Sequence, residues 1–168
     1  MAKLLTALLL GAIFVGLILL SASAWRRRMR EQAVGFGSPA ETLSGDAAAT
    51  KAIETAKVQY VATTIAGEPL NRVTAHGLGF RGRATVSIAE AGLLIERKGE
   101  RSIAISNTQI DGFDFVQAVI DRAVEKDGLL AISWSQDGTL LTTVLRFNSA
   151  ADRNRVLQAS KVFIRKAI

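Results

Sequence analysis

Three glycines, Gly77, Gly79 and Gly82, have the spacing of a dinucleotide-binding turn. That turn requires a following helix, because the helix N-terminus receives the pyrophosphate. Here residues 83–89 alternate apolar and polar side chains, which predicts a strand instead of a helix. We therefore interpret the glycines as part of a connection between strands and expect no nucleotide or other cofactor.

Histidine and paired carboxylates are the remaining residue types that could hold a metal or move a proton. The chain has one histidine, His76, and no cysteine, which does not suffice for a zinc site. Asp111 and Asp114 are three residues apart, but a calcium loop needs more oxygen ligands. Asp and Gly in residues 110–115 predict a turn between strands. We expect no catalytic or metal-binding residues and a protein that is not an enzyme.

A second group of polar residues is basic. Arg81 and Arg83 follow Arg72 and His76 closely, and together they could form a loop that binds a partner or an anionic ligand. The alternative interpretation is a solvated loop without a ligand. The whole chain carries a net charge of +6, yet residues 1–30 hold five basic residues and no acid. The other 138 residues hold 16 bases and 15 acids, for a net +1, so we expect no nucleic-acid partner.

The basic residues near the N-terminus flank an apolar segment. Leu4–Ala24 has 21 uncharged residues, which as a helix extend over about 31 Å, the thickness of a bilayer core. The segment predicts one transmembrane helix, and the lipid bilayer is its partner. The alternative is a cleaved signal peptide, because residues 22–24 (ASA) fit a cleavage site. The arginines that would then begin the mature chain oppose this alternative, since they resist translocation.

The same charges predict an orientation. Lys3 precedes the apolar segment and four arginines follow it, so the positive-inside rule places the C-terminal side in the cytoplasm. We expect a single-pass plasma-membrane protein with its N-terminus outside and its C-terminal domain cytoplasmic. The expected membrane interface consists of Trp25, Arg26, Arg27, Arg28 and Arg30. These arginines would attract anionic lipid headgroups, or would only determine topology.

The rest of the chain predicts a linker and a β-rich domain. Gly, Ser and Pro are frequent at 35–45, so residues 1–30 form the anchor, 31–57 a linker and lead-in, and 58–168 the domain. Short β-branched runs separated by turns predict about seven antiparallel strands, at 58–65, 83–89, 93–97, 102–106, 115–124, 129–135 and 140–147. Asp137-Gly138 predicts a hairpin turn. An amphipathic helix follows, with Val156, Ser160 and Phe163 on one face.

Seven antiparallel strands closed by a C-terminal helix are the order of the pleckstrin-homology (PH-like) sandwich or barrel. The stretches 60–70 (YVATTIAGEPL), 76–84 (HGLGFRGRA) and 120–125 (IDRAVE), with Trp134, also resemble one family over essentially the whole chain. It consists of small actinobacterial membrane proteins with one N-terminal helix and a bacterial PH-like domain. The resemblance implies kinship and fold, and its motifs assign no chemistry.

These observations together predict a membrane-tethered PH-like interaction module without catalysis. It would position a protein-binding domain at the inner face of the plasma membrane, where the partner is an unidentified membrane-associated protein. Two alternatives stay open. One is an accessory subunit of a transporter, export or enzyme complex. The other is a domain that binds lipid headgroups through Arg72, His76, Arg81 and Arg83.

Overall fold

The computed structural model describes residues 2–35, 37, 52–116, 118–119, 122–123 and 129–164. These residues form two helices, ten strands and one 3₁₀ turn. In chain order they are α1 (Ala2–Gly35), β1 (Glu54–Ile65), β2 (Glu68–Arg72), the 3₁₀ turn (Ala75–Gly77), β3 (Gly82–Ala89), β4 (Gly92–Arg97), β5 (Ile103–Ser106), β6 (Ile110–Val116), β7 (Ala118–Val119), β8 (Arg122–Ala123), β9 (Leu129–Gln136), β10 (Thr139–Phe147) and α2 (Ala150–Ile164).

Helix α1 contains the predicted apolar segment and continues past it. The stretch Leu8–Gly35 includes a window with a mean hydropathy of 2.3, none of which is buried against the rest of the chain. Length and composition therefore suit a membrane-spanning helix, although signal sequences share both properties. The helix ends at Gly35, so the first five residues of the predicted linker, 31–35, are helical. Most of the remaining linker lies outside the described residues.

Eight strands form one antiparallel sheet, in the order β5-β4-β3-β1-β10-β9-β6, with β2 paired to β1. Among the described strands, the short β7 and β8 pair only with each other. The predicted antiparallel order and the C-terminal helix are confirmed. The sheet is not closed into a barrel, however, because its path ends at β5 on one side and at β6 on the other.

Strand β1 pairs with three other strands of the sheet, β2, β3 and β10. Its first half, from Glu54 to Tyr60, pairs with β3, and a register shift follows between Tyr60 and Ala62. Past that irregularity, β1 pairs with β2 through Thr64 and Ile65. Strand β10 pairs with β1 from Val58 to Ile65, across the register shift. One strand therefore contributes to two regions of the sheet.

Two turn predictions have different outcomes. Asp137 and Gly138 have φ values of 48° and 79°, so the predicted tight hairpin joins β9 to β10. The turn predicted for residues 110–115 is wrong, because β6 covers it and pairs with β9 from Ile110 to Val116. Asp111 and Asp114 lie exposed on this edge strand. The strand predicted at 115–124 is replaced by the end of β6 and the short pair β7 and β8.

The larger of the two clusters of buried apolar residues in the described chain lies between the sheet and α2. Trp134, predicted as a core residue, is fully buried, as are Leu130 and Ile132 on the same face of β9. The predicted inner face of α2 is confirmed, since Val156 and Phe163 are both buried. Helix α2 therefore covers the core of an otherwise open sheet.

Candidate membrane-proximal site

The last three turns of α1 carry the predicted membrane interface. Trp25 is 46% exposed, and Arg26, Arg27 and Arg30 are exposed as well. Arg27 Nε donates to Glu31 Oε1 over 2.8 Å, one helical turn away. Both side chains of this ion pair face solvent, so the pair contributes little to stability. Most of this surface is therefore available for contacts outside the chain.

Arg28 differs from its neighbours because it binds the β domain. Its guanidinium donates to Asn71 Oδ1 over 2.7 Å and to the Arg72 carbonyl over 3.5 Å. Asn71 Nδ2 in turn donates to Glu68 Oε2 over 2.6 Å. A cation of the predicted membrane interface is thus connected through Asn71 to strand β2.

One turn later, Gln32 makes the most extensive contact between α1 and the domain. Its Oε1 accepts from Thr74 N at 2.7 Å, from Thr74 Oγ1 at 2.8 Å and from Ala75 N at 3.3 Å. Its Nε2 donates to the Arg72 carbonyl over 3.3 Å. The side-chain amide thus satisfies both a carbonyl and two backbone amides, which fixes its orientation.

The amides that Gln32 binds belong to the start of the 3₁₀ turn. Thr74 precedes this turn and does not cap it with its own side chain. The first amides of any helical turn lack partners within the turn, and a side-chain oxygen commonly supplies one. Here that oxygen comes from a helix 42 residues earlier in the chain. The contact therefore orients the domain relative to α1.

The 3₁₀ turn is held from its other side by a buried arginine. Arg97, at the end of β4, donates from Nη1 to the Gly77 carbonyl over 2.7 Å and from Nε to the Arg101 carbonyl over 3.0 Å. Its guanidinium lies 5.0 Å from the centre of the Tyr60 ring. Burial lowers the pKa of Arg97, the effect expected for a desolvated cation.

A chain of buried hydrogen bonds connects the same region to the core. Trp134 Nε1 donates to Thr143 Oγ1 over 2.9 Å, and Thr143 Oγ1 lies 2.8 Å from Thr63 Oγ1. Tyr60 Oη lies 2.7 Å from Thr63 Oγ1 and donates to the Leu78 carbonyl over 2.8 Å. Since a carbonyl only accepts, each hydroxyl can donate once along this chain towards Leu78. Burial raises the pKa of Tyr60 to about 12.

The bacterial PH domain-like family matches residues 40–161. The chain belongs to this family. The match includes all of the described sheet and most of α2, and α1 lies before it. We refer below to the β domain with α2 as the PH-like domain.

Two solved structures resemble the chain in fold at low sequence identity. A chain of the 8S snRNP assembly intermediate is 14% identical, with a TM-score of 0.46, and the alignment covers 67% of this chain and 80% of that one. The C-terminal domain of an unknown protein from Leishmania infantum is 10% identical, with a TM-score of 0.45, covering 71% and 89%. No curated protein matches the chain.

The residues of the predicted basic loop, Arg72, His76, Arg81 and Arg83, have different surroundings in the structure. The guanidinium of Arg72 points inward and donates to the carbonyls of Gly79 and Val61, while its Nε is buried without a hydrogen-bond partner. His76 lies in the 3₁₀ turn with a φ of 53°, a left-handed conformation that is uncommon outside glycine. Arg72 is thus a structural residue of the turn region as well as a predicted ligand contact.

Arg81 and Arg83 are exposed, and Arg83 belongs to a different surface. It lines an open groove of about 910 Å³ on the outer face of β1, β3 and β4, whose lining includes neither Arg72 nor His76. Lys57 and Lys98 lie in the same groove, and Glu96 is the acid among them. This groove therefore includes only one of the four predicted loop residues, and the role of all four in binding stays a prediction.

Sequence reasoning missed Gln32 and Arg97, the two residues that hold the 3₁₀ turn. For Arg97 a signal existed, because it follows Leu93 and Ile95 at a spacing of two, on the inward face of β4. For Gln32 no local signal existed. Among the described residues, no group of three or more histidines and carboxylates could bind a metal ion.

Proposed function

We propose that this protein is a single-pass membrane protein that holds a non-catalytic PH-like interaction domain at the inner face of the plasma membrane. The observation that carries the proposal is the set of hydrogen bonds that join Arg28 and Gln32 to the domain, Arg28 as donor and Gln32 Oε1 as acceptor. One helix is apolar and uncovered at its N-terminal end and is bound to a folded domain at its C-terminal end. Such a helix connects the domain to the medium that surrounds the apolar part of the helix.

The apolar part of α1 supports a bilayer as that surrounding. The ten large apolar side chains between Leu8 and Leu20 that are exposed all have exposed fractions of 52–66%. A continuous apolar cylinder of this kind is far larger than the patches that soluble monomers expose. A helix also satisfies its own backbone hydrogen bonds, as a segment inside lipid must.

A retained anchor explains the docking contacts better than a removed signal peptide. Cleavage after Ala24 would leave the eleven residues of Trp25–Gly35 as an isolated N-terminal helix. Helices of that length are marginal by themselves in water. Continuation of α1 into the membrane would instead stabilise the turns that carry Arg28 and Gln32, and so would preserve their contacts with the domain.

The mechanism that we propose is positional. Gln32 lies eight residues beyond Ala24, which corresponds to about 12 Å along a helix. The hydrogen bonds to the 3₁₀ turn would therefore hold the PH-like domain directly against the bilayer surface, with a defined side facing the membrane. Such a placement raises the effective concentration of the domain for membrane-associated proteins, which are the partners that we propose.

The arginines support a cytoplasmic location for the domain, by the positive-inside rule. Two fusions after Ile168 test the proposal: a phosphatase that is active only outside the membrane, and a reporter that is active only in the cytoplasm. We expect an active cytoplasmic reporter, an inactive phosphatase, and full-length protein that stays with membranes after an alkaline wash. An active phosphatase would contradict the orientation, and release of the protein by the wash would contradict the anchor.

The matched control replaces Arg26, Arg27 and Arg30 by glutamine and leaves Arg28, which binds the domain, unchanged. This variant keeps the apolar length and loses most of the charge asymmetry. It should therefore stay in the membrane while some of its copies expose the phosphatase to the outside.

A further inference from the structure

Leu70 is the most exposed large apolar side chain among the described residues of the PH-like domain, at 80%. It lies on β2, which among the described strands pairs only with β1 and is therefore an edge. An isolated exposed leucine is common on protein surfaces and by itself indicates nothing. The position of Leu70 relative to α1 is what suggests a function for this side chain.

The contacts along α1 show which part of the domain lies nearest to the apolar end of the helix. Asn71 binds Arg28, and four residues further along both segments Ala75 N binds Gln32. The chain from β2 to the 3₁₀ turn thus follows α1 in its N-to-C direction, away from the apolar end of the helix. Strand β2 consequently lies on the side of the domain that is nearest to that apolar end.

Two shallow surface depressions also place β2 near the apolar end of α1. One is lined by Ala24, Arg28 and Asn71, and so includes the last residue of the apolar segment. The next is lined by Arg28, Pro69 and Leu70. Arg28 is four residues beyond Ala24, about 6 Å along the helix. The headgroup layer is of that thickness, roughly 5–8 Å on each side of the hydrocarbon core.

From this geometry we propose that the β1–β2 turn and edge strand β2 touch the bilayer that α1 spans, with Leu70 as a second apolar anchor at the boundary of headgroups and acyl chains. The inference rests on the proposed membrane span of α1. Interfacial apolar groups enter this boundary by about 5–10 Å, which Leu70 can reach from the level of Arg28. Two contacts with one membrane, α1 and Leu70, fix the rotation of the domain about the helix axis.

The residues around Leu70 suit such a contact. Pro69 has no backbone N–H, so the position next to Leu70 exposes no donor in the poorly hydrated boundary. The one acid of β2, Glu68, accepts a hydrogen bond from Asn71, which Arg28 also binds. The positive charge of Arg28 therefore lies close to the carboxylate and lowers its repulsion from anionic headgroups.

Because the chain has no cysteine, single cysteines can carry an environment-sensitive fluorophore at chosen positions in the full-length protein. The test compares Leu70→Cys, Leu17→Cys and Ile53→Cys in vesicles of phosphatidylcholine and an anionic phospholipid, some of which carry nitroxide-labelled acyl chains. Leu17 lies in the apolar segment, and Ile53 is an exposed apolar residue at the opposite end of β1 from β2.

We expect loss of most of the fluorescence by nitroxide quenching at positions 17 and 70, a blue-shifted emission at both, and no quenching at position 53. Quenching at 17 with position 70 behaving like position 53 would overturn the contact of Leu70 while leaving the anchor intact. Absence of quenching at 17 would overturn the anchor, and the inference with it. Quenching at all three positions would overturn the specific orientation through β2.

Discussion

The two helices of this protein bury apolar side chains in different ways. Helix α2 covers the sheet with Val156 and Phe163, both buried, and leaves Lys161 in solvent. Helix α1 has a far longer apolar stretch, yet the side chains from Leu8 to Leu20 contact no core. Apolar surface of this size is unfavourable in water. The sheet covers the apolar face of α2, whereas the described chain does not cover the apolar stretch of α1, for which we propose a bilayer.

The helices also contact the domain through different chemistry. Phe163 of α2 stacks on Phe113 of β6, with 6.1 Å between the ring centres. Helix α1 contacts the domain through the polar side chains of Arg28 and Gln32. Apolar burial contributes more to folding than hydrogen bonds that exchange with water. We therefore infer that α2 stabilises the domain, whereas the contact of α1 mainly orients it.

The largest expected difference follows from deleting each helix in turn. A chain that begins at Glu41 should be soluble and folded, with a β-type circular dichroism spectrum and a cooperative melt. The same chain ending at Asn148 lacks α2, exposes the core around Trp134 and should not fold. A folded chain without α2, or an aggregated chain without α1, would reverse the roles assigned to the two helices.

The next effect tests the packing of α2 with one side chain. Replacing Phe163 by alanine should lower the free energy of unfolding by about 3 kcal/mol, because the buried ring leaves a cavity against Phe113. Replacing the exposed Lys161 should change it by less than about 0.5 kcal/mol. Urea melts of both variants make the comparison. Equal midpoints would mean that α2 does not pack on the sheet.

A pH effect of slightly smaller size comes from Tyr60, the only tyrosine in the chain. Burial raises its pKa to about 12, above the value near 10 of an unfolded chain, so the folded state favours the neutral phenol. This stabilisation is complete below pH 10 and is lost as the pH rises from about 10 to 12, by roughly 2–3 kcal/mol. The ultraviolet absorbance of tyrosinate should show a titration near pH 12 in the folded protein.

The matched variant is Tyr60→Phe, which keeps the ring and removes the ionisable hydroxyl. It should lose stability at neutral pH, because the Leu78 carbonyl and Thr63 lose their buried partner, and it should lack the decline specific to tyrosine above pH 10. A titration of the folded wild-type protein near pH 10 would show that the phenol is not desolvated.

The smallest effect concerns the contact that orients the domain. Gln32→Ala removes the acceptor of the Thr74 and Ala75 amides, so these two amides should exchange hydrogen faster with solvent. We expect a cost of about 1 kcal/mol in local stability, with the overall melt nearly unchanged. Glu31→Ala is the control, because it removes only the exposed pair with Arg27. Equal exchange in both variants would contradict the docking.

The sequence predicted the elements whose pattern is local. The hairpin at Asp137-Gly138, the paired strands beside it and the inner face of α2 depend on neighbouring residues, and all are confirmed. Strand β2 was missed because Gly67 and Pro69 are turn residues. Proline is tolerated there because β2 is an edge, which a single sequence does not reveal. Asp111 and Asp114 wrongly indicated a turn, because exposed charges occur in turns and also on edge strands such as β6.

Of the candidate site, only the residues of α1 next to the apolar segment could be predicted. Charge and hydropathy identify Trp25 and the arginines next to the apolar segment without any knowledge of the fold. The contact of Gln32 with Thr74 joins residues 42 positions apart, and it depends on the fold that places the segment after β2 beside the helix. No periodicity or spacing encodes such a contact. The separation of Arg83 from Arg72 was unpredictable for the same reason.

Cross-linking of residue 32 to residue 74 in native membranes tests most directly whether α1, which we propose to span the membrane, and the PH-like domain are docked. The cysteine-free chain allows the pair Gln32→Cys and Thr74→Cys, with Gln32→Cys and Lys57→Cys as the control pair. A short thiol-specific cross-linker should join positions 32 and 74 in the membrane fraction and leave 32 and 57 unjoined. Absence of the 32–74 product in membranes, or its appearance only in the soluble fraction, would contradict the account.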